Sequence, residues 1–228
     1  NAEVKDHLYY SPLHYHPTYG ATANGSVFEY STNYRILVSS STLTYDKKFN
    51  NHNLNALLGF EAQKNETDYQ YAAGSNLPNS ALHTVATAGV KDANAYSWGH
   101  NMMSVFSRLE YNYLDTYYLS GSIRRDGSSR VGPKDRWANF WSLSGAVNLK
   151  NTAFLTDVDE VNFLKLKASY GTNGTLADSN FGWRSLAGFG LNYMSQPGGS
   201  INTIADENLR WEQNLNFNVG TEFGLFNS

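Results

Sequence analysis

The chain has 228 residues and a formal net charge of −3, so no basic surface advertises nucleic acid as a partner. It contains no Cys, which removes disulfide frameworks, thiolate metal sites and cysteine nucleophiles together. Aromatic residues make up 14% and charged residues only 16%, a balance that suits a β-structure with one apolar and one mildly polar face.

No run approaches the roughly 20 apolar residues that a transmembrane helix needs. That test does not reach barrel strands, where only alternate residues face lipid. The chain opens at Asn1 in mid-pattern and is read as processed or excised.

Taken in order, residues 13–33 read as a long connection rich in Gly, Asn, Ser and Pro. Residues 34–49 read as a strand whose phase slips between Val38 and Leu43, which suggests a bulge. A short turn at 47–51 leads to a strand in which Leu54, Ala56, Leu58, Phe60 and Ala62 oppose Asn53, Asn55 and Glu61. Residues 69–97 read as a second long connection. In the next strand Val105, Leu109, Tyr111 and Tyr113 share a face with Ser107, against Ser104, Phe106, Arg108, Glu110 and Asn112. Leu114, Asp115 and Thr116 make a tight turn. Tyr117, Leu119, Gly121 and Ile123 then oppose Ser120, Ser122 and Arg124.

Beyond a long connection at 127–138, Trp141, Leu143, Gly145, Val147 and Leu149 oppose Ser142, Ser144, Asn148 and Lys150. A modest connection at 151–161 precedes Leu164, Leu166, Ala168 and Tyr170 against Lys165, Lys167 and Ser169. After a last long connection at 172–208, Leu215, Phe217, Val219 and Phe223 oppose Asn214, Asn216, Asn218 and Glu222.

The pattern predicts an all-β, antiparallel up-and-down meander of roughly eight strands with alternating short and long connections. That is the rhythm of an outer-membrane barrel with brief periplasmic turns and extended outer loops. Aromatics gather at strand ends (Tyr45 and Phe49, Tyr111 and Tyr113, Tyr117 and Tyr118, Trp137 and Trp141, Phe223 and Phe226), as girdles at two membrane interfaces would require. A secreted, soluble β-sandwich that binds carbohydrate shares the composition and is the alternative. Eight strands closing alone would leave an interior just filled by side chains; the hydrated face and long loops suit a wider barrel.

Several motifs resemble one family. Arg124-Arg125-Asp126-Gly127-Ser128-Ser129-Arg130, then Gly132-Pro133 and Arg136-Trp137-Ala138-Asn139-Phe140, is similar to a signature of SusC/RagA-type TonB-linked outer-membrane proteins. Leu164 to Gly171, Glu207 to Glu212 with Asn218-Val219-Gly220 and Phe223 to Phe226, and Leu57 to Glu61 resemble further segments of that family in the same order. The resemblance implies that residues 1–228 are part of the barrel domain of a transporter of about 22 strands, without its N-terminal plug. It implies import of glycans or peptides, a SusD-like surface lipoprotein as a lid, energy from the TonB complex acting through the absent N-terminal part, and outer-membrane lipid around the wall.

Catalysis and cofactors are not expected. Arg124, Arg125, Asp126 and Arg130 are read as bracing a loop base, with a contact to ligand or lid as the sharper alternative. His14 and His16 would share a strand face near His7, but no Cys or acidic cluster completes a metal site. His52, His83 and His100 are read as isolated and solvated. Asp157, Asp159 and Glu160 cluster in a short turn, without the concave site a glycosidase needs. Gly198-Gly199 lacks the Lys of a phosphate-binding loop. Tyr69, Tyr71, Trp183, Phe189, Tyr193 and Trp211 are the candidate contacts to substrate or lid.

Overall fold

A computed structural model describes residues 2–11, 25–79, 81–157, 159–191, 193–194 and 196–226. Among the described residues ten strands follow in chain order: β1 (Ala2–Ser11), β2 (Ser26–Phe49), β3 (His52–Ser75), β4 (Val90–Tyr113), β5 (Tyr117–Ser128), β6 (Trp137–Asn148), β7 (Val161–Thr175), β8 (Leu186–Phe189), β9 (Gly199–Thr203) and β10 (Glu212–Leu225). Single 3₁₀ turns lie at Val85–Thr87 and Leu149–Asn151. One sheet runs β1-β2-β3-β4-β5-β6-β7-β10, and β8 pairs with β9 in a separate hairpin. The large sheet is therefore an antiparallel meander, with the small hairpin inserted between β7 and β10.

The cross-strand register shows why the sequence alternates. Tyr111, Leu119, Gly145 and Ala168 fall on one transverse line; Leu109, Gly121, Leu143 and Tyr170 fall on the next. Val219 and Phe217 extend these lines onto β10. Every member belongs to the apolar set, so one face of five strands is apolar. Leu119 and Leu143 on central strands are each 54% exposed. A sandwich would cover this face with a second sheet. The only other sheet among the described residues has strands of four and five residues, too small to do so. The exposed apolar face fits the lipid side of a barrel wall, and the soluble sandwich is set aside.

The chain forms two compact units. Asn1–Leu37 and Lys64–His100 make the first; Val38–Gln63 and Asn101–Ser228 make the second. Strands β2, β3 and β4 contribute to both and have 24 residues each, about twice what a tilted transmembrane strand needs. This corrects two expected connections. Residues 26–33 are strand, and the connection expected at 69–97 shrinks to residues 76–89. The strands persist here because rings hold them together. Phe28 meets Tyr71 at 5.3 Å, Tyr30 meets Tyr69 at 5.9 Å, and Tyr69 meets Tyr96 at 4.9 Å. Aromatic cross-strand pairs stabilise a sheet even where aliphatic residues are few. A small core of Val27, Leu77 and Ala88 caps the unit.

The second unit ends in tight turns. Leu114 and Asp115 have φ of 57° and 50°, and the Thr116 amide donates to the Tyr113 carbonyl at 3.0 Å. Two successive left-handed residues match the right-handed twist of the flanking strands, so the expected turn forms. Neighbouring turns are tied by backbone bonds from Leu114 to the Asn51 carbonyl (2.9 Å) and from Asn148 to the Thr116 carbonyl (2.8 Å). Phe49 stacks on His52 at 5.0 Å, His52 meets Tyr113 at 4.7 Å, and Tyr113 stacks on Tyr117 at 6.4 Å. This ring belt includes His52, whose Nδ1 also lies 2.6 Å from the Tyr111 hydroxyl.

The reading of His52, His83 and His100 as isolated is thus corrected. His83 packs on Tyr10 at 4.0 Å and His100 lies 3.0 Å from the Asn65 amide. Imidazoles carry both ring surface and polar nitrogens, so they join aromatic belts that hydropathy does not show. Tyr118 leaves the predicted girdle: it alternates to the polar face, where Lys165 lies 4.3 Å from its ring centroid.

Candidate functional site: the polar face and the loop base

The face opposite the apolar one is lined with short polar side chains that bond across strands. Ser120 and Ser144 are direct partners, as are Ser122 and Ser142, and each hydroxyl pair is 2.7 Å apart. The Asn216 amide donates to Asn173 at 2.9 Å, and Lys167 pairs with Glu222. Of these, Ser120, Ser144 and Lys167 line a groove of about 570 Å³, together with Asp46, Asn55, Glu110, Lys165 and Asn218. Both charges and neutral donors and acceptors are present, so the surface can form many weak hydrogen bonds.

At the far end of β5 the signature segment makes a packed base for the loops. Arg124 Nε donates to Asp126 at 2.7 Å and its Nη2 donates to the Ser104 hydroxyl at 2.9 Å. The same guanidinium lies over the Phe106 ring at 5.1 Å. Asp126 is 8% exposed. Phe106 is admitted by Gly59, where a Cβ would stand 2.3 Å from the ring. Arg130 Nε donates to Asn180 at 2.8 Å, across to the connection after β7. Val131, Ala138, Phe140 and Trp211 form a buried cluster against which Met102 and Leu176 pack. Phe140 and Trp211 meet edge to face at 5.7 Å. Two indoles are tied to main chain: Trp183 Nε1 donates to the Ser129 carbonyl at 3.0 Å and Trp211 Nε1 to the Arg136 carbonyl at 3.1 Å.

The six candidate contact residues therefore fall into three settings. Tyr69 and Tyr71 belong to the ring cluster of the first unit. The Tyr71 hydroxyl donates to Asp92 at 3.0 Å, and that acceptor raises its pKa above the ordinary phenol value. Desolvation by neighbouring rings raises that of Tyr30 first, with its hydrogen bond to Tyr9 second. Trp183 and Trp211 are held in the loop base. Phe189 and Tyr193 are on the insert carrying β8 and β9, and Phe189 is 86% exposed. Arg125 alternates away from Arg124 to the apolar face and stacks on Trp137 at 5.4 Å.

Among the described residues no group of three or more His, Cys, Asp or Glu is placed to hold a metal; His14 and His16 lie outside those residues. Asp157, Asp159 and Glu160 stay in an exposed turn, and the Glu160 carbonyl accepts from the Phe226 amide at 3.1 Å. Sequence reasoning missed Lys64, Glu66 and Arg35 as a group. Lys64 lies 2.6 Å and Arg35 3.1 Å from Glu66. The Lys64 hydrogen bond, aided by both positive charges, holds the Glu66 carboxyl below its ordinary pKa. The charge spacing of two along β3 was the available signal.

Comparison with known proteins agrees with this geometry. The family described as TonB dependent receptor-like, beta-barrel matches residues 2–228. TonB-dependent receptor P3 of Formosa agariphila is 31% identical over 218 residues, covering 92% of this chain and 22% of that protein. TonB-dependent receptor SusC of Bacteroides thetaiotaomicron is 28% identical, covering 92% and 21%. The chain thus spans about a fifth of the length of these relatives. In fold it resembles a structure described as the RagAB peptide transporter, with a TM-score of 0.86 over 99% of this chain and 26% of that one at 24% identity. The chain belongs to the TonB-dependent receptor β-barrel family, and its sheet is part of the wall of an outer-membrane barrel.

Proposed function

We propose that this chain is a wall segment of a TonB-dependent importer of glycans or other large nutrients such as peptides. The observation that carries the reading is the polar face, where serine, asparagine and lysine side chains line a broad groove behind an apolar exterior. A solute passing such a surface exchanges water hydrogen bonds for many comparable protein ones and meets no single strong trap. The wall guides; it is not an enzyme. Energy reaches the importer from the TonB complex through parts of the protein outside this chain.

A SusD-like surface lipoprotein is the proposed lid. Phe189 and Tyr193 suit a contact to that lid or to substrate because they are exposed on residues 186–203, a stretch without charged side chains. Tyr69 and Tyr71 offer ring edges from a rigid cluster. Trp183 and Trp211 act by holding the loop base that presents the others. Arg124, Asp126 and Arg130 brace that base, as their contacts to Ser104, to each other and to Asn180 support.

Deletion of the full gene, followed by uptake of labelled oligosaccharide and oligopeptide mixtures, tests the proposal. Loss of uptake of one oligomer class, with monomer uptake intact, is expected. Unchanged uptake of both classes would contradict it.

A further inference from the structure

Arg124 and Arg125 are sequence neighbours with opposite surroundings. Arg124 is satisfied on the polar face by Asp126 and Ser104. Arg125 lies on the apolar face, opposite Val105 of β4 and Asn139 of β6. Among the described residues no carboxylate lies within ion-pair reach of it, and its guanidinium sits over the Trp137 ring. Trp137 pairs with Gly127 and leans over it; a Cβ there would stand 2.8 Å from the indole. On the other side, one alternation along the strand, Ile123 pairs with Trp141. Trp141 meets Tyr170 at 5.6 Å, and Tyr170 meets Phe217 at 6.4 Å, both edge to face.

The result is a polar notch of guanidinium and amide, between two tryptophans, on the lipid side. A cation on that face is costly at the bilayer centre and tolerated only near the interface, which is where indoles concentrate. At that level the available anion is the phosphate of a lipid headgroup, and guanidinium suits phosphate by charge and planar donor geometry. We infer that Arg125 and Asn139, framed by Trp137 and Trp141, bind the phosphate of an outer-leaflet lipid on the outside of the barrel. This rests on the outer-membrane placement of the wall. It is independent of what the lumen transports.

The test uses the full-length protein in phosphatidylcholine vesicles, with or without diphosphorylated lipid A. The temperature at which the folded band loses its heat-modifiable mobility is compared. Lipid A is expected to raise it for the native protein, and Arg125→Gln to abolish most of that rise. Native mass spectrometry is expected to show lipid A retention weakened about five-fold in Arg125→Gln, the worth of one cation at an anionic surface. Asn139→Ala changes only an exposed amide, keeps the test open if the arginine variant fails to insert, and should lose part of both effects. Equal rise and retention in the native protein and both variants would overturn the inference. So would an equal rise with inorganic phosphate, which would assign the site to a free anion. A native protein with no heat-modifiable band in either vesicle would sink the barrel reading itself.

Discussion

Arg124 and Asp126 show how much one buried carboxylate controls at the loop base. Arg124→Ala removes a charge-assisted donor from a side chain that is 8% exposed, and is expected to destabilise the wall by about 1–3 kcal/mol. Replacing both by apolar residues should cost less than removing the arginine alone. The shift in heat-modification temperature of the full-length protein measures both. Gly59→Ala should also destabilise, by about 1–3 kcal/mol, because the added methyl meets Phe106. Phe106→Leu in the same background should recover part of the loss.

Glu66 gives a pH prediction. Its folded pKa is lowered, so its contribution is fully present above the unfolded carboxylate value of about 4.3. That contribution is lost as pH falls through the lower folded value. The difference in midpoint between native protein and Glu66→Gln should stay constant above about pH 5 and vanish in stronger acid. The surroundings of His52, Trp183 and Trp211 were not readable at this scale: each is placed by contacts to distant partners, and neither period nor spacing encodes such partners. Arg125 is different: alternation alone put it opposite Arg124, and its face could be read directly.

Individual strands carried the clearest message. On β5 and β6 the period-two pattern gave the faces of residues 119–124 and 141–148, because a one-residue slip would invert every side chain. Leu143→Arg is expected to cost about 2–4 kcal/mol near the bilayer midplane. Ser144→Arg, one residue away on the polar face, should cost less and leave insertion intact. Folding yield into vesicles distinguishes them. Strand lengths were less legible. In β3 and β4, Tyr69, Tyr71, Tyr96 and Trp98 alternate with polar or small residues, a pattern that resembles a loop until the rings are seen to stack across strands. The β8–β9 hairpin was equally hidden, being short and rich in Gly.

For the molecule as a whole, the decisive property is the apolar face of the large sheet, which no other element covers among the described residues. Composition left barrel and sandwich open; the register of β4 to β10 removes the sandwich, because Leu119, Leu143 and Val219 are exposed together. The polar face and loop base were legible as a pattern, through the serines of β5 and β6 and the Arg124-Arg125-Asp126 segment. Their bonding was not, since it depends on which strands become neighbours. The claim that matters most is that this apolar face meets lipid. The absence of Cys from the chain allows single cysteines at Leu143 and Ser144 to carry a fluorophore in the full-length protein, inserted in vesicles with a quencher on the acyl chains. Strong quenching at Leu143 and weak quenching at Ser144 are expected; equal quenching at the two positions, or none at Leu143, would show that this face does not meet lipid.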